Sequence, residues 1–314
     1  MPLPSQDDIR AAAERIAPHV RHTPVLPLAA GDLVPGHPVV LKLEQLQHTA
    51  SFKARGAFNG MLSMDMPKAG AIAASGGNHG AAVAYAARAL GYPAEIFVPS
   101  IIAPAKKARL EDYGAVVNVV GREFAEALEA CRARQAETGA VLLHAYDQPE
   151  ILAGQGTVGL EFEAQAPELD TVLVAVGGGG LIGGIASWYR GRTKLVAVEA
   201  EGTATLHSAR ASGAPVDIAV SGLTADSLGA RRIGDLPFEA ATRFVADSVL
   251  VREDAIRATQ RRLWDKLRLI TEPGGATALA ALLCGAYAPA PDEKVGVLIC
   301  GGNAAPSSFL GDDA

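Results

Sequence analysis

Eight short apolar runs alternate with longer segments of helical period, and this alternation constrains the fold more than any other feature of the chain. The runs are Val39–Leu43, Ala71–Ala74, Ala94–Val98, Val116–Val120, Val141–His144, Thr171–Val176, Leu195–Glu199 and Val295–Cys300. Between them lie Ala- and Leu-rich segments, Gly80–Leu90, Pro104–Tyr113, Glu123–Thr138, Leu181–Tyr189, Asp254–Lys266 and Ala276–Ala286. Such a pattern predicts parallel strands with helices on both faces of each sheet. Thr171-Val172-Leu173-Val174-Ala175-Val176 is apolar almost throughout, as a strand buried on both faces requires. With 314 residues the chain exceeds one ordinary core, so the expected class is α/β with two three-layer αβα domains and mostly parallel sheets.

Composition excludes several kinds of function. Hydrophobic residues make up 49% of the chain and charged ones 20%, which gives a sizeable core and argues against disorder. The net charge is −6 and no run of Lys or Arg occurs, so neither nucleic acid nor an anionic membrane is an expected partner. Cys131, Cys284 and Cys300 have no zinc spacing, and an odd, sparse set suits a reducing compartment. The first ten residues hold Asp7, Asp8 and two prolines with no apolar stretch, unlike a signal peptide. Ser75-Gly76-Gly77-Asn78-His79 interrupts the longest apolar stretch, which therefore does not span a bilayer. A cytoplasmic location is expected.

In open α/β sheets, function concentrates where strands end and helices begin. Four junctions are unusual here. Ser51-Phe52-Lys53-Ala54-Arg55-Gly56-Ala57 enters a helix, with Ser51 as the expected N-cap and Lys53 in the first turn. The helix dipole and desolvation would both lower an amine pKa there, as a Schiff-base lysine needs; taken alone, a surface lysine is the commoner outcome. Ser75-Gly76-Gly77-Asn78-His79-Gly80 follows a strand and precedes an Ala-rich helix. Its successive amides make an anion nest, to which Asn78 and His79 add directional donors; a tight turn alone would explain the glycines but not both polar residues. Gly177-Gly178-Gly179-Gly180, ahead of Leu181, suits close backbone approach to a phosphate. Gly178–Gly183 also fits the dinucleotide spacing, with Glu199 the one acid at a suitable distance, so a non-catalytic Rossmann-type nucleotide-binding protein is a rival reading. Cys300-Gly301-Gly302-Asn303 ends the last run, where a thiol either fills the core or meets a ligand nitrogen.

Taken in order, these junctions resemble the fold type II pyridoxal-phosphate (PLP) enzymes, the serine/threonine dehydratase and serine racemase group. Thr23-Pro24-Val25, Leu41-Lys42-Leu43-Glu44 and Ala153-Gly154-Gln155-Gly156-Thr157 extend the resemblance over most of the chain. It implies a tryptophan synthase β-like fold, with a large domain of residues 1–52 and 148–314 and a small domain of residues 53–147. Lys53 would carry the cofactor covalently and act as catalytic base, and Phe52 would lie against the pyridine ring. Asn78 would bond the phenolic oxygen, and Gly177 to Gly180 with Leu181 would hold the phosphate. Cys300 would stand beside the ring nitrogen. Ser75, Gly76, Gly77 and His79 would receive the substrate carboxylate, and Glu272 would be a cleft residue. A homodimer acting on a small amino acid is implied, with L-threonine or L-serine converted to a 2-oxo acid and ammonia.

Two departures discriminate within the group. Serine racemases carry a serine at the position of Gly76, which here has no side chain to act as a second acid/base. Some members bind a divalent cation through a Glu and an Asp six residues apart; Glu199 matches the first, but Thr205 stands at the second. Hard cations need several oxygens, so a cation is weakly supported, with Glu199, backbone carbonyls and Asp226 on offer. No regulatory domain like that of isoleucine-pathway threonine dehydratases is expected, and a catabolic or specialised role is expected instead. Alternatives within the group are a serine racemase or a lyase for 3-hydroxyaspartate or phenylserine.

Overall fold

A computed structural model describes residues 1–310. Ten strands form two sheets: β1 (Val25–Leu28), β2 (Val39–Leu43), β3 (Ala71–Ala74), β4 (Ala94–Val98), β5 (Val116–Val119), β6 (Val141–Leu142), β7 (Thr171–Ala175), β8 (Lys194–Ala200), β9 (Asp247–Val251) and β10 (Val295–Ile299). The larger sheet has the order β1-β2-β10-β7-β8-β9 and the smaller β5-β4-β3-β6. Every pairing is parallel except β1 with β2. The smaller sheet draws only on residues 71–142, whereas the larger combines strands from before and after that stretch.

Side-chain alternation shows that the smaller sheet is covered on both faces. Ala71, Ala73, Ile96 and Val98 pack into a core with Ala54, Phe58, Ala82 and Ala86 from helices Lys53–Ser63 and Asn78–Leu90. Ile72, Ala74 and Phe97 point the other way, onto Ala127 and Cys131 of helix Phe124–Thr138. Small alanines at these positions let helix and sheet approach closely. In the larger sheet β7 and β10 are buried along their whole length, under helices Gly180–Tyr189 and Pro273–Leu283. Among the described residues no helix is long and apolar enough to cross a membrane.

The helix that begins at Lys53 is anchored by charges. Arg55, one of the largest fully buried side chains, donates to Glu44 Oε1 at 2.7 Å and Oε2 at 2.9 Å, and to Glu161 Oε2 at 3.0 Å. Lys42 of β2, also fully buried, donates to Glu161 Oε1 at 2.5 Å. Two cations and two anions thus meet where β2, helix Lys53–Ser63 and helix Pro149–Gln165 converge. Buried charges persist only when paired and hydrogen-bonded, so the set fixes these three elements against one another.

Removing one member leaves the others uncompensated. Glu161→Ala is expected to lose about 3–5 kcal/mol of stability, measured by urea unfolding. Burial pushes the Glu161 pKa up, but Arg55 and Lys42 outweigh it and take the carboxyl from 4.5 down to about 2. The folded state therefore binds fewer protons than the unfolded state between those values. The stabilisation from Glu161 is full above pH 4.5 and is lost as pH falls toward about 2, and the acid-unfolding curve of Glu161→Gln should lack that component.

Candidate active site

A cleft of about 50 Å³ is lined by Phe52, Lys53, Asn78, Tyr146, Ala175, Gly177–Leu181, Ser227, Leu228, Glu272 and Cys300. Sequence reasoning placed nine of these residues at four separate junctions, and the structure brings them to one opening. β7 and β10 are neighbours in the larger sheet, so their carboxyl ends deliver Gly177–Gly180 and Cys300 side by side.

Lys53 is the first residue of its helix, and its Nζ donates to the carbonyl of Ala145 at 2.6 Å. Desolvation lowers its pKa from 10.5 to about 8, against opposing pulls from Cys300 and Glu272. Phe52 lines the cleft with its ring centroid 5.2 Å from the amine. Ser51 is not the N-cap: Phe52 occupies that position without a side-chain cap. Ser51 is extended and pairs with Gly301 as an isolated bridge, because the chain is drawn onto the end of β10 before it turns into the helix.

Gly177–Gly180 leads into helix Gly180–Tyr189. Gly179 is the N-cap at φ 88°, in the left-handed region that glycine adopts without strain. A methyl on Gly177 would lie 2.8 Å from the Leu228 carbonyl oxygen, and one on Gly178 would run into the Tyr146 ring. The loop is therefore a bare backbone cradle at the positive end of a helix, the arrangement that receives a phosphate. Thr205 Oγ1 donates to the Gly177 carbonyl at 2.5 Å and holds that oxygen away from the cradle.

Asn78 begins the helix after β3 and donates from Nδ2 to Glu272 Oε1 at 2.6 Å. Burial raises the Glu272 pKa to about 7, outweighing the Asn78 hydrogen bond, so the acid is largely neutral below that pH. Cys300 is buried, and its thiol reaches the Gly274 carbonyl at 3.4 Å. Burial pushes the Cys300 pKa far up, which leaves a neutral thiol in the cleft.

Other candidates lie differently. Ser75, Gly76 and Gly77 are not among the residues lining the cleft, and Gly77 faces the Asp226 carbonyl across 3.9 Å from where its Cβ would be. The His79 imidazole is buried and donates from Nε2 to the Leu143 carbonyl at 2.8 Å. Burial takes its pKa to about 3, so the ring is a neutral core group and not a donor to the cleft. Glu199 is the last residue but one of β8 and accepts from the Leu206 amide at 2.7 Å and the His207 amide at 2.8 Å, with Thr205 and Ser248 hydroxyls nearby. It serves the start of helix Thr205–Ser212, not a nucleotide ribose. Its oxygens already face four donors, a poor fit to a divalent cation. Asp226 pairs instead with Lys106.

Sequence reasoning missed Tyr146, Ser227 and Leu228 in the lining and the Ala145 carbonyl. Ala145-Tyr146-Asp147 follows a strand-like run directly, and an aromatic at that point was the available signal.

Residues 16–301 match the family described as pyridoxal-phosphate dependent enzyme. The chain is 37% identical over 312 residues to a phenylserine dehydratase of Ralstonia pickettii, covering 98% of this chain and 95% of that protein. It is 37% identical to an L-threonine ammonia-lyase of Geobacter sulfurreducens, over 88% of this chain and 70% of the other. The solved structure of maize serine racemase superposes with a TM-score of 0.92 at 33% identity, covering 98% of this chain and 96% of that one.

Two outcomes test the geometry. In ligand-free protein, an amine-selective reagent should modify Lys53 half-maximally near pH 8, well below the 10.5 of an ordinary lysine, as read by peptide mass analysis. Gly177→Ala should keep its far-UV circular dichroism yet bind pyridoxal phosphate at least roughly tenfold more weakly, because the added methyl meets backbone that cannot step aside.

Proposed function

Because this chain belongs to the pyridoxal-phosphate-dependent enzyme family, we propose that it is a dehydratase of β-hydroxy amino acids, acting on phenylserine ahead of threonine and serine. The observation that carries the reading is the Lys53 amine, enclosed in the cleft between Asn78 and the glycine cradle with a pKa brought near neutrality.

The residues fit the cofactor. Gly177–Gly180 offers amides and no side chains to a phosphate, and Phe52 offers an apolar face to a ring. Asn78 keeps one N–H beyond the bond to Glu272, and Cys300 presents a neutral thiol, a weak partner for a ring nitrogen. When bound, PLP supplies an aldehyde for the substrate amine and a ring that draws electrons from Cα.

The chain's own groups do the rest. Amides of the Ser75–Gly77 turn bind the substrate carboxylate. The Lys53 amine, which is uncharged at mildly alkaline pH, takes the proton from Cα. The Cβ–O bond then breaks and the hydroxyl leaves as water, carrying off the proton that Lys53 took from Cα. The released enamine hydrolyses to a 2-oxo acid and ammonia. Closing of residues 53–147 over the larger sheet would exclude water during these steps.

Gly76 supports dehydration over racemisation. The atoms nearest to the position of a Cβ are hydrocarbon, with Ile102 Cδ1 at 2.9 Å and Val98 Cγ1 at 3.6 Å, and the glycine itself has no side chain that could return a proton. A substrate with an aryl substituent on Cβ is in keeping with the nearly end-to-end similarity to a phenylserine dehydratase.

The test is a panel of L-threo-phenylserine, L-threonine, L-serine, D-serine and 3-hydroxyaspartate, scored for 2-oxo acid release and for D-serine formed from L-serine. Phenylserine should show the highest kcat/KM, and Lys53→Ala should lose about a thousandfold or more of the rate. Abundant D-serine, or turnover that survives loss of Lys53, overturns the assignment.

A further inference from the structure

Asparagine carries a donor and an acceptor of nearly the same shape, and only its partners decide which end faces where. For Asn78 the matter is consequential, because Nδ2 would donate to a ligand oxygen in the cleft whereas Oδ1 would repel it. Glu272 does not settle the choice. A carboxylate accepts only, but a neutral carboxyl also donates, and Glu272 titrates near 7.

Asn303 does settle it. Its Nδ2 donates to the Thr49 carbonyl at 2.9 Å and to Asn78 Oδ1 at 2.6 Å. Its Oδ1 accepts from Arg109 Nη1 at 2.6 Å. Guanidinium groups only donate and backbone carbonyls only accept, so both ends of Asn303 are fixed without ambiguity. Asn78 Oδ1 is then turned toward Asn303, and Nδ2 faces Glu272 and the cleft. Resting on the reading of Asn78 given above, we propose that Asn303 is a positioning residue that locks the Asn78 amide with its donor toward the cofactor.

Asn303 also ties together the segments that must keep their places around Lys53. Thr49 and Ala50 hold φ of 58° and 57°, left-handed values uncommon outside glycine, just ahead of Ser51-Phe52-Lys53. The Thr49 carbonyl is held by Asn303 and the Ala50 carbonyl by the amide of Gly302 at 2.9 Å. Arg109 comes from helix Pro104–Asp112 beside the smaller sheet, one turn after Lys106, which pairs with Asp226. The orientation of Asn78 is thereby coupled to the seating of this helix on the larger-sheet side of the cleft.

The experiment compares wild type, Asn303→Ala, Asn303→Asp and Asn78→Ala, each reconstituted with pyridoxal phosphate. It records cofactor Kd, the absorption spectrum of the bound cofactor and Tm, at a pH well below 7 and again well above it. The charged and titratable groups facing Glu272 are Asp226, Arg109, Lys106, Lys53 and Cys300; Asn303→Ala alters none of them, whereas Asn303→Asp adds a carboxylate beside Arg109. In Asn303→Ala the Kd should rise roughly tenfold at the lower pH, where neutral Glu272 can hold Asn78 reversed, and recover at the higher pH, where a carboxylate again demands the donor. Asn303→Asp, which has no N–H to offer Asn78, should lose affinity at both values, and it carries the test if the alanine variant does not fold.

A fall in Tm with cofactor Kd and spectrum unchanged in both Asn303 variants, while Asn78→Ala is altered, overturns the positioning role alone. An unaltered Asn78→Ala protein overturns the assignment of Asn78 to the cofactor, and the inference with it.

Discussion

The placement of Lys53 is decided two residues along its own helix, where Arg55 is gripped by Glu44 and Glu161. A lysine side chain is long and rotamer-rich, and nothing local would hold its amine at the Ala145 carbonyl if the helix could slide. The ion cluster removes that freedom: any shift of the helix would strand a buried charge, a cost of several kcal/mol. Gly154 adds a steric limit, because a methyl there would lie 2.7 Å from the Arg55 carbonyl oxygen and 2.7 Å from the Gly56 Cα. Charge and close packing thus fix the amine in a cleft whose chemistry requires it to stay put.

Most parts of the fold legible in the sequence are buried on two faces, although β5, also legible, is partly exposed. β2, β3 and β4 follow the expected Val39–Leu43, Ala71–Ala74 and Ala94–Val98, since full burial demands an unbroken apolar run. β1 and β9 escaped because a proline interrupts Val-Leu-Pro-Leu and two polar residues open Asp-Ser-Val-Leu-Val, so neither reads as an apolar run. Helix Pro149–Gln165 was hidden by Gly154, Gly156 and Gly159, which lower helix propensity but here admit neighbouring backbone and side chains. In the site, backbone cradles announce themselves as glycine runs, so Gly177–Gly180 was legible. Side-chain direction was not. His79 follows Asn78 directly, yet its ring turns to the Leu143 carbonyl because successive residues on a helix point about 100° apart. Asn303 stood within a motif already singled out, but its work is done through Asn78, Thr49 and Arg109, which only the folded chain brings together.

Burial moves the pKa values of Lys53 and Glu272, both in the cleft, toward each other. It lowers the Lys53 amine to about 8 and raises the Glu272 carboxyl to about 7, each change favouring the uncharged form. A lysine with the ordinary value of 10.5 would hold its proton through the physiological range and could not act as a base. Desolvation supplies the correction, against the opposing pulls of Cys300 and Glu272. The thiol of Cys300 follows the same rule and stays protonated, so it withdraws little charge from whatever ring nitrogen it meets.

Glu199 shows how the cradle is supported from behind. Its two oxygens accept the amides of Leu206 and His207, which anchors the start of helix Thr205–Ser212 to the end of β8. Thr205, at the first turn of that helix, then reaches the Gly177 carbonyl. A loop of four glycines has no side chains with which to secure itself and loses more entropy on ordering than any other sequence. Restraint must therefore come from neighbours: Thr205 on the Gly177 carbonyl, the Gly234 amide on the Gly178 carbonyl at 3.1 Å, and Tyr146, with its ring at Gly178 and its Cβ and backbone at Gly180. Glu199 is thus the far end of this bracing, and Thr205 beside it supplies the donor to the Gly177 carbonyl.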